Sequence, residues 1–487
     1  MPRRDLFIVL FAFALSVLVR VPQLNRPLSA HHELCTALVL IVLDNWYSDG
    51  FVAHHGGPAI SFSGPADLYP PGFTDAPGMR DGIAYYFSHP PLAYDLPYLL
   101  FLATGIAPNA LGLELFNLFF HLTTALCLYL IVKELLTIEA ASRAPVFAAV
   151  LYLFMPAPLW FHSNAYMSDM FVQNLWALNL VVTVRVLKRG AFGSWRSLLA
   201  FGVTLFLTVY TSWPGVFVAM TVTALAVWRW FKSRDAAYAK LVLVTWTAVS
   251  LALGLTAWRY LQVVDADALW AYYTGRFAVR GSAGMVDGPW PHVRQLLVNY
   301  RTGYLPVILV ALALGIGFRK RILKLSGLGL FALLTGLPVL LDHAFLLQYA
   351  DHDFAALKGG ILLCGLAAIA LANLHGRWSS AVLVTTCVIG VLYFYRTNPL
   401  PGRDDGRYAQ ERDMGLEIAA EAQPDEAVFT LGFTPEPQVQ WYAKRTLFRV
   451  DSLPQAQQLL RAQGTDVGVL FKQEGNVLVH ERIAASD

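Results

Sequence analysis

The sequence predicts a mainly α-helical polytopic membrane protein: a bundle of transmembrane helices with a long first external loop and a small C-terminal α/β domain. Of its 487 residues, 56% are hydrophobic and 14% are charged, whereas soluble proteins carry roughly 25% charged residues. The mean hydropathy is +0.50, and apolar segments long enough to cross the bilayer hydrocarbon recur along the chain. These observations exclude an ordinary soluble domain.

Eleven segments are apolar enough to be predicted as membrane spans, some of them tilted or with ragged ends. They are residues 6–21, 111–136, 145–160, 170–187, 197–210, 215–231, 241–258, 305–318, 325–341, 354–374 and 380–394. Two further apolar stretches, 34–43 and 92–103, are too short to span the bilayer. We predict that these two form helices lying at the membrane interface.

The basic residues predict the orientation, because short cytoplasmic loops retain Lys and Arg. They fall in alternate connections, beginning with Arg3 and Arg4 before the first span. The N-terminus is therefore predicted to be cytoplasmic and the C-terminus external. The formal net charge is only +3 and the basic residues are scattered, which excludes the clustered basic surface of a nucleic-acid-binding protein.

The chain divides into a predicted membrane module, residues 1–396, and a C-terminal domain, residues 397–487. The module contains an unusually long external loop, residues 22–108, and long loops of this kind are usually functional or disordered. In the C-terminal domain, strand-like runs at 427–431, 446–450, 467–471 and 477–480 alternate with helical patterns. This alternation predicts a small α/β fold.

The motif His31-His32-Glu33 lies about ten residues after the first span. A carboxylate beside two imidazoles at the membrane–water boundary suits a general base. The same three residues also suit a site for a divalent metal ion, although adjacent histidines rarely bind one ion without ligands from elsewhere. A solvated loop start is the alternative.

Three other external segments carry candidate residues. Asp169 lies at the external start of the fourth span, where an ionisable side chain is a functional candidate or a helix N-cap. His89 and Tyr94 belong to His89-Pro-Pro-Leu-Ala-Tyr-Asp, whose prolines suit the first turn of a helix, and both are candidates for substrate binding. A solvated histidine is the alternative there.

His352 and Lys358 precede the tenth span. Lys358 suits a phosphate contact at the membrane surface and equally suits an ammonium that snorkels to the interface. Arg276, Arg280, Arg294 and Arg301 indicate an amphipathic helix face lying on anionic lipid.

Few polar residues appear deep within the spans, Gln173 and Asn179 among them, whereas transporters place ionisable residues near the bilayer midplane. The pattern therefore favours chemistry at the external surface.

The order of these features resembles the polytopic glycosyltransferases of the GT-C fold. Within that fold it is similar to family 39, which includes protein O-mannosyltransferases and lipid A aminoarabinose transferases. The matches are Glu33 after the first span, His89-Pro90-Pro91-Leu92 at the second interfacial helix, and Asp169 at the fourth span. The resemblance covers residues 1–396. It departs at His31-His32-Glu33, where the family commonly has Asp or Asp-Glu.

The resemblance implies an inverting glycosyltransferase of the bacterial inner membrane. It would move a sugar from a polyprenyl-phosphate donor, amid the membrane lipids, to a periplasmic acceptor that is a lipid, a glycan or a protein. Glu33 is then the leading candidate for the base, and Asp169 supports it or binds a divalent ion. His89, His352 and Lys358 contact phosphate or metal.

Two other classes of function compete with the transferase. One is a transporter or flippase for lipid-linked saccharides, and the other is a non-catalytic assembly or sensor protein that binds partners through its loop and C-terminal domain.

Overall fold

The structure is a computed structural model that describes most of the chain. The described residues are 1–29, 31–70, 78–136, 143–189, 194–282, 285, 288–400, 403, 406, 409–475 and 477–485. The main-chain path is mostly helical, and the described β-strands lie in the first loop and in the C-terminal region.

The membrane module contains sixteen α-helices among its described residues. They are α1 Arg3–Arg20, α2 Glu33–Ser48, α3 Leu92–Thr104, α4 Ala110–Leu135, α5 Ala144–Phe154, α6 Pro156–Phe161, α7 Ser168–Arg189, α8 Trp195–Val209, α9 Pro214–Ser233, α10 Ala236–Tyr260, α11 Ala266–Arg280, α12 Trp290–Gly317, α13 Arg319–Ile322, α14 Leu328–Phe345, α15 Gly360–Leu371 and α16 Arg377–Thr397. Two 3-10 helices, Leu347–Asp351 and Asp353–Gly359, join α14 to α15. A short hairpin, β1 Met79–Arg80 and β2 Ile83–Ala84, lies in the first loop.

Polar caps and prolines set several helix boundaries. Asn109 precedes α4, and its side-chain oxygen accepts a hydrogen bond from the amide of Gly112 at 2.8 Å. Asp265 caps α11 in the same way, at 2.7 Å from the amide of Ala268. These oxygens satisfy amide groups that have no partner within the first helical turn.

Nine helices in the described part of the chain are long and apolar enough to cross a membrane. They correspond to nine of the eleven predicted spans, so the multi-pass architecture is confirmed. The other two predicted spans, 145–160 and 197–210, coincide with shorter apolar helices. The total of eleven therefore stays a prediction.

The predicted span 145–160 is not one helix. It divides into α5 and α6 at Met155, whose backbone is extended with φ −76° and ψ 143°. Met155 precedes Pro156, and the proline ring clashes with a helical conformation of the residue before it. The divided pair remains buried over its whole length.

Both short apolar stretches of the first loop form the predicted helices, α2 and α3. Helix α2 is the more buried of the two, with residues 39–43 fully enclosed, and it packs against α3, α4 and the C-terminal region. Helix α3 keeps leucines exposed on one side, Leu99, Leu100 and Leu102. An interfacial position therefore suits α3, whereas α2 is an interior helix.

The C-terminal region forms a four-stranded sheet with helices on both faces. Its elements are α17 Gln410–Glu421, β3 Ala427–Leu431, α18 Pro437–Ala443, β4 Leu447–Val450, α19 Leu453–Gln463, β5 Val467–Glu474 and β6 Val477–Ala484. The strand order is β4-β3-β5-β6, with β3 parallel to β4 and β5, and β6 antiparallel to β5. Strands form at all four predicted positions, and the boundary at residue 396 stays a prediction.

Alternate residues of the strands face opposite sides of this sheet. Phe429 and Leu470 pack under α19, whereas Val428 and Val469 pack under α17 and α18. Because both faces are covered, the sheet has a core of its own.

A buried ion pair, Asp67 with Arg445, joins the first loop to the sheet, and we refer to it as the loop–tail clamp. The guanidinium Nε of Arg445 lies 3.0 Å from Oδ1 of Asp67, and Arg445 also donates to the main-chain oxygen of Gln423. The amide of Thr446 donates to the same carboxylate at 2.8 Å. The clamp fixes the first loop against the start of β4.

We expect the substitution Arg445→Gln to destabilise the C-terminal region by about 3 kcal/mol, because it leaves Asp67 buried without its counterion. The measurement is the thermal unfolding midpoint in detergent, together with the rate of protease cleavage after residue 397. The matched control is Arg449→Gln on the exposed side of β4, which should change stability by about 0.5 kcal/mol or less. Equal midpoints for the two variants would show that the clamp contributes nothing.

Candidate active site

Asp169 lies in the first turn of α7 and is 3% exposed. The hydroxyl of Tyr349 donates to its Oδ2 at 3.3 Å, and Nε2 of His89 lies 3.6 Å from the same oxygen. On the other side, Nζ of Lys358 lies 3.9 Å from Oδ1. The positive end of the helix dipole favours a carboxylate at this position. Asp169 is thus the centre of a cluster that brings together three distant segments of the chain: the entry to α3, the start of α7 and the 3-10 helices that follow α14.

Lys358 is a buried cation in this cluster. It lies in the 3-10 helix Asp353–Gly359, and its Nζ is 2.6 Å from Oδ2 of Asp342 in the last turn of α14. The ammonium also lies 5.3 Å from the ring centroid of Tyr349, in a cation–π contact. A buried ammonium requires such partners because its desolvation is costly. Lys358 does not snorkel to the interface in this structure.

His89, which lies just before α3, forms another side of the cluster. Its Nδ1 lies 3.3 Å from the hydroxyl of Ser212, and its main-chain oxygen accepts a hydrogen bond from Tyr260. Burial lowers the pKa of His89, and the negative charge of Asp169 offsets only part of that effect. The imidazole is therefore neutral at pH 7, and it can donate one hydrogen bond and accept another.

Two arginines of α11 add positive charge beside the cluster. Arg280 stacks 5.5 Å from the ring centroid of Tyr349. Arg276 donates to the hydroxyl of Ser88 at 2.9 Å and lies over the ring of Tyr86. With Lys358, these arginines bring three positive charges close to the buried His89, an arrangement suited to an anionic ligand.

The two histidines of the first loop bind Asp353, at the start of the 3-10 helix Asp353–Gly359. Nε2 of His31 lies 2.5 Å from one carboxylate oxygen and Nε2 of His32 lies 2.9 Å from the other. Both residues adopt left-handed backbone conformations, with φ 43° and 66°, which are uncommon outside glycine. Burial lowers the pKa of His31, but its hydrogen bond to Asp353 and the charge of that carboxylate leave the pKa raised overall.

His352 lies between this histidine pair and the Asp169 cluster. Its ring stacks on Phe354 at 5.0 Å and meets the ring of His32 edge-on at 5.4 Å. Burial lowers the pKa of His352 to about 4, assisted by the charge of Arg280. His352 is consequently neutral at pH 7.

Glu33 has different partners from Asp169. It is fully buried at the first turn of α2, where its Oε1 lies 3.0 Å from the guanidinium of Arg26 and its Oε2 accepts from the amide of Ser29 at 3.0 Å. Arg26 in turn lies over the ring of Trp160. These contacts give Glu33 a role in holding the first loop on the bundle.

Tyr94 is also buried, but its contacts are those of a core residue. It is 1% exposed, and its ring packs edge-on against Trp46 at 6.4 Å. Its predicted part in substrate binding has no supporting polar contact among the described residues.

The predicted metal site is not assembled in the structure. His31 and His32 are directed at Asp353, whereas Glu33 is directed at Arg26. In the part of the chain that the structure describes, no group of three or more His, Cys, Asp or Glu side chains is placed to hold a metal ion. These residues do not fit the divalent ion that the resemblance implies, and we derive no step through one.

The structure therefore brings Asp169, His89 and Lys358 into direct contact, with His352 close by, and gives Glu33 a separate ion pair. It adds two residues that the sequence did not suggest, Tyr349 and Asp342. Asp342 was detectable, because an ionisable residue directly after the apolar run 325–341 is unusual. No pattern in the sequence indicated a functional role for Tyr349.

The fold matches solved membrane enzymes, although neither protein-family models nor curated protein sequences gave a match. Archaeal oligosaccharyltransferase AglB from Archaeoglobus fulgidus, in complex with an inhibitory peptide and a dolichol-phosphate, aligns with a TM-score of 0.58 at 12% identity. It covers 96% of this chain and 69% of its own. ArnT from Cupriavidus metallidurans bound to undecaprenyl phosphate aligns with a TM-score of 0.61 at 12% identity, over 95% of this chain and 92% of its own.

The chain thus has the architecture of a polytopic membrane protein of the GT-C fold, as the sequence predicted. ArnT matches over nearly its whole length, and its apo form aligns similarly, with a TM-score of 0.54 at 14% identity, over 96% of this chain and 92% of its own. At such identities the similarity establishes the fold.

The lowered pKa of His352 predicts a pH dependence of stability. The folded protein keeps this imidazole neutral down to about pH 4, whereas an unfolded histidine takes up a proton near pH 6.5. Between these values the unfolded state binds more protons, so His352 costs stability as the pH falls from 6.5 towards 4.

We expect His352→Gln to lose less thermal stability than the unmodified protein over that pH interval. Unfolding midpoints measured from pH 4 to 8 check this, with the exposed His375→Gln as the matched control. Identical slopes for all three proteins would contradict a neutral buried His352.

Proposed function

We propose that the protein transfers a sugar from a polyprenyl-phosphate donor to an acceptor at the external membrane surface, with the Asp169 cluster as its active site. The observation that carries the proposal is the buried Lys358 between Asp169 and Asp342, with Arg276 and Arg280 beside it. These cations suit a phosphate group at the ends of the spans. The fold supports it, since two structural neighbours were solved with lipid phosphates, ArnT bound to undecaprenyl phosphate and AglB in complex with a dolichol-phosphate.

The proposed reaction is a single displacement at the anomeric carbon. The acceptor oxygen forms a bond to that carbon and loses its proton to a carboxylate, while the bond from the carbon to the phosphate oxygen breaks. The polyprenyl phosphate leaves with the electron pair, and Lys358 and the arginines stabilise its added charge. A single displacement inverts the anomeric configuration.

Asp169 is the carboxylate that we propose as the base. Its Oδ2 faces His89 and Tyr349, and its other oxygen faces the lysine that would bind the phosphate. The proposed base and the cation that would bind the leaving phosphate thus lie next to each other, with 3.9 Å between Oδ1 of Asp169 and Nζ of Lys358. Glu33, which the sequence favoured as the base, is instead engaged in a buried ion pair with Arg26.

The proposed setting is the bacterial inner membrane, with the N-terminus cytoplasmic and the active site periplasmic. The positive residues of alternate connections support this orientation. The acceptor is a glycan, a lipid or a protein, and the C-terminal sheet lies beside the first loop, at the same surface.

Asp169→Asn and Glu33→Gln distinguish the two candidate bases. We expect Asp169→Asn to lower kcat by about 10²-fold to 10⁴-fold, the usual contribution of a general base. Glu33→Gln should retain turnover but unfold at a lower temperature, because Arg26 loses its buried counterion. The measurement is release of sugar from radiolabelled polyprenyl-phosphate sugars by purified protein, with unfolding midpoints for both variants.

Full turnover in Asp169→Asn would remove this residue from the mechanism. If the unmodified protein releases no sugar from any donor but moves a lipid-linked saccharide into vesicles, the result would instead indicate a flippase.

Lys358→Gln should lower kcat by about 10²-fold to 10³-fold, as expected when one group that stabilises a developing charge is removed. Because this variant leaves Asp342 buried without a cation, the double variant Lys358→Gln/Asp342→Asn tests the same point in a neutral site. The matched control is Lys240→Gln at the other end of the bundle, which should retain activity. Turnover within tenfold of normal in a folded double variant would contradict the phosphate role.

A further inference from the structure

An apolar slot runs along the outside of the bundle between α12 and α16. Its volume is about 390 Å³, and its walls include Leu305 and Leu309 from α12 and Trp378, Val382 and Ile389 from α16. On the α12 side the lining residues run only from Leu305 to Val310, whereas on the α16 side they run from Trp378 to Tyr393, about 22 Å along the helix. That length exceeds half of the roughly 30 Å of bilayer hydrocarbon, so the slot has room for a lipid chain of one leaflet.

The external end of the slot is polar. A small pocket there is lined by residues of the same two helices, Asn299 and Thr302 from α12 and Asn398 just after α16, together with His31 and Asp353. Asn398 is already bonded to Nδ1 of His31 at 2.7 Å, and Asn299 donates to the main-chain oxygen of Ala350 at 2.7 Å. The side-chain amides of Asn299 and Asn398 at this polar end are therefore already hydrogen-bonded within the protein.

Two arginines flank this end of the slot. Arg301 lies one helical turn before Leu305, and Arg396 lies two turns after Ile389, so each shares a helix face with a residue of the slot wall. Both side chains are exposed. Neither has a hydrogen-bond or ion-pair partner among the residues that the structure describes, in contrast to the paired Arg26, Arg259 and Arg445.

We propose that the α12–α16 slot is a binding site for an anionic membrane phospholipid, with a chain between the helices and the phosphate between Arg301 and Arg396. An apolar slot of this length with two unpaired cations at its water end matches the charge and the shape of such a lipid. The chemistry is that of a phosphodiester headgroup attached to fatty chains.

This lipid is distinct from the proposed sugar donor. Lys358, which would bind the donor phosphate, is buried against α7 and α14. Asp353, five residues earlier in the same 3-10 helix, faces the polar end of the slot. The two sites thus lie at different places along one short helix.

The test is lipid binding by the full-length purified protein, measured by native mass spectrometry with phosphatidylglycerol and with phosphatidylcholine of the same chains. We expect preferential binding of phosphatidylglycerol. In Arg301→Gln/Arg396→Gln the affinity for phosphatidylglycerol should fall about tenfold or more, since each arginine contributes to attraction of an anionic headgroup, while phosphatidylcholine binding stays constant.

Two further variants complete the design. Thr385→Trp fills the exposed slot and should weaken binding of both lipids. Arg319→Gln/Lys320→Gln removes two exposed charges beyond the opposite end of α12 and should bind lipid as the unmodified protein does.

The proposal is overturned if Arg301→Gln/Arg396→Gln keeps its phosphatidylglycerol affinity or if the control pair loses as much. Displacement of phosphatidylglycerol by an equal concentration of polyprenyl phosphate would also overturn it and would assign the slot to the donor chain. None of these measurements requires turnover, so failure here is separate from failure of the proposed transferase reaction.

Discussion

The pairing of Lys358 with Asp342 and Asp169 is the constraint on which the functional end of the bundle depends. An ammonium removed from water is stable only when carboxylates and polar groups replace its hydration. These partners come from α14 and α7, and the aromatic ring of Tyr349 covers the remaining side. The three segments must therefore meet for the cluster to exist, and the apolar faces of the helices supply the free energy that brings them together.

Several charged groups of the first loop have counterions outside the Asp169 cluster. Glu33 pairs with Arg26, the histidines 31 and 32 pair with Asp353, and Asp67 pairs with Arg445. Because each of these pairs contains both a positive and a negative partner, they fix the loop without using the charged side chains of the Asp169 cluster. That cluster, with Arg276 and Arg280 beside it, keeps a charge arrangement suited to a ligand.

Hydropathy and local signals predicted the helices well, since a span must be apolar over its own length and a cap lies beside its helix. The site was predicted in part. Asp169, His89 and Lys358 were recognised one by one as ionisable residues at span ends, but their contacts join residues far apart in sequence, which no local pattern encodes.

Adjacency in sequence did not bring the three predicted metal ligands together, because His31 and His32, in left-handed conformations, are directed at Asp353 and Glu33 is directed at Arg26. The count of polar residues within the spans was also too low, since the structure buries Arg20, Asn117 and His121 in hydrogen bonds.

The left-handed histidines explain how the first loop and the membrane helices act as one unit. A residue in this conformation costs free energy, and it persists where surrounding contacts determine it. Here the two short bonds to Asp353 hold the start of α2 against the 3-10 helix Asp353–Gly359. That helix carries Lys358 near its other end, so the position of the buried cation depends on the loop above it. A ligand that displaced either histidine from Asp353 would therefore also disturb the Asp169 cluster.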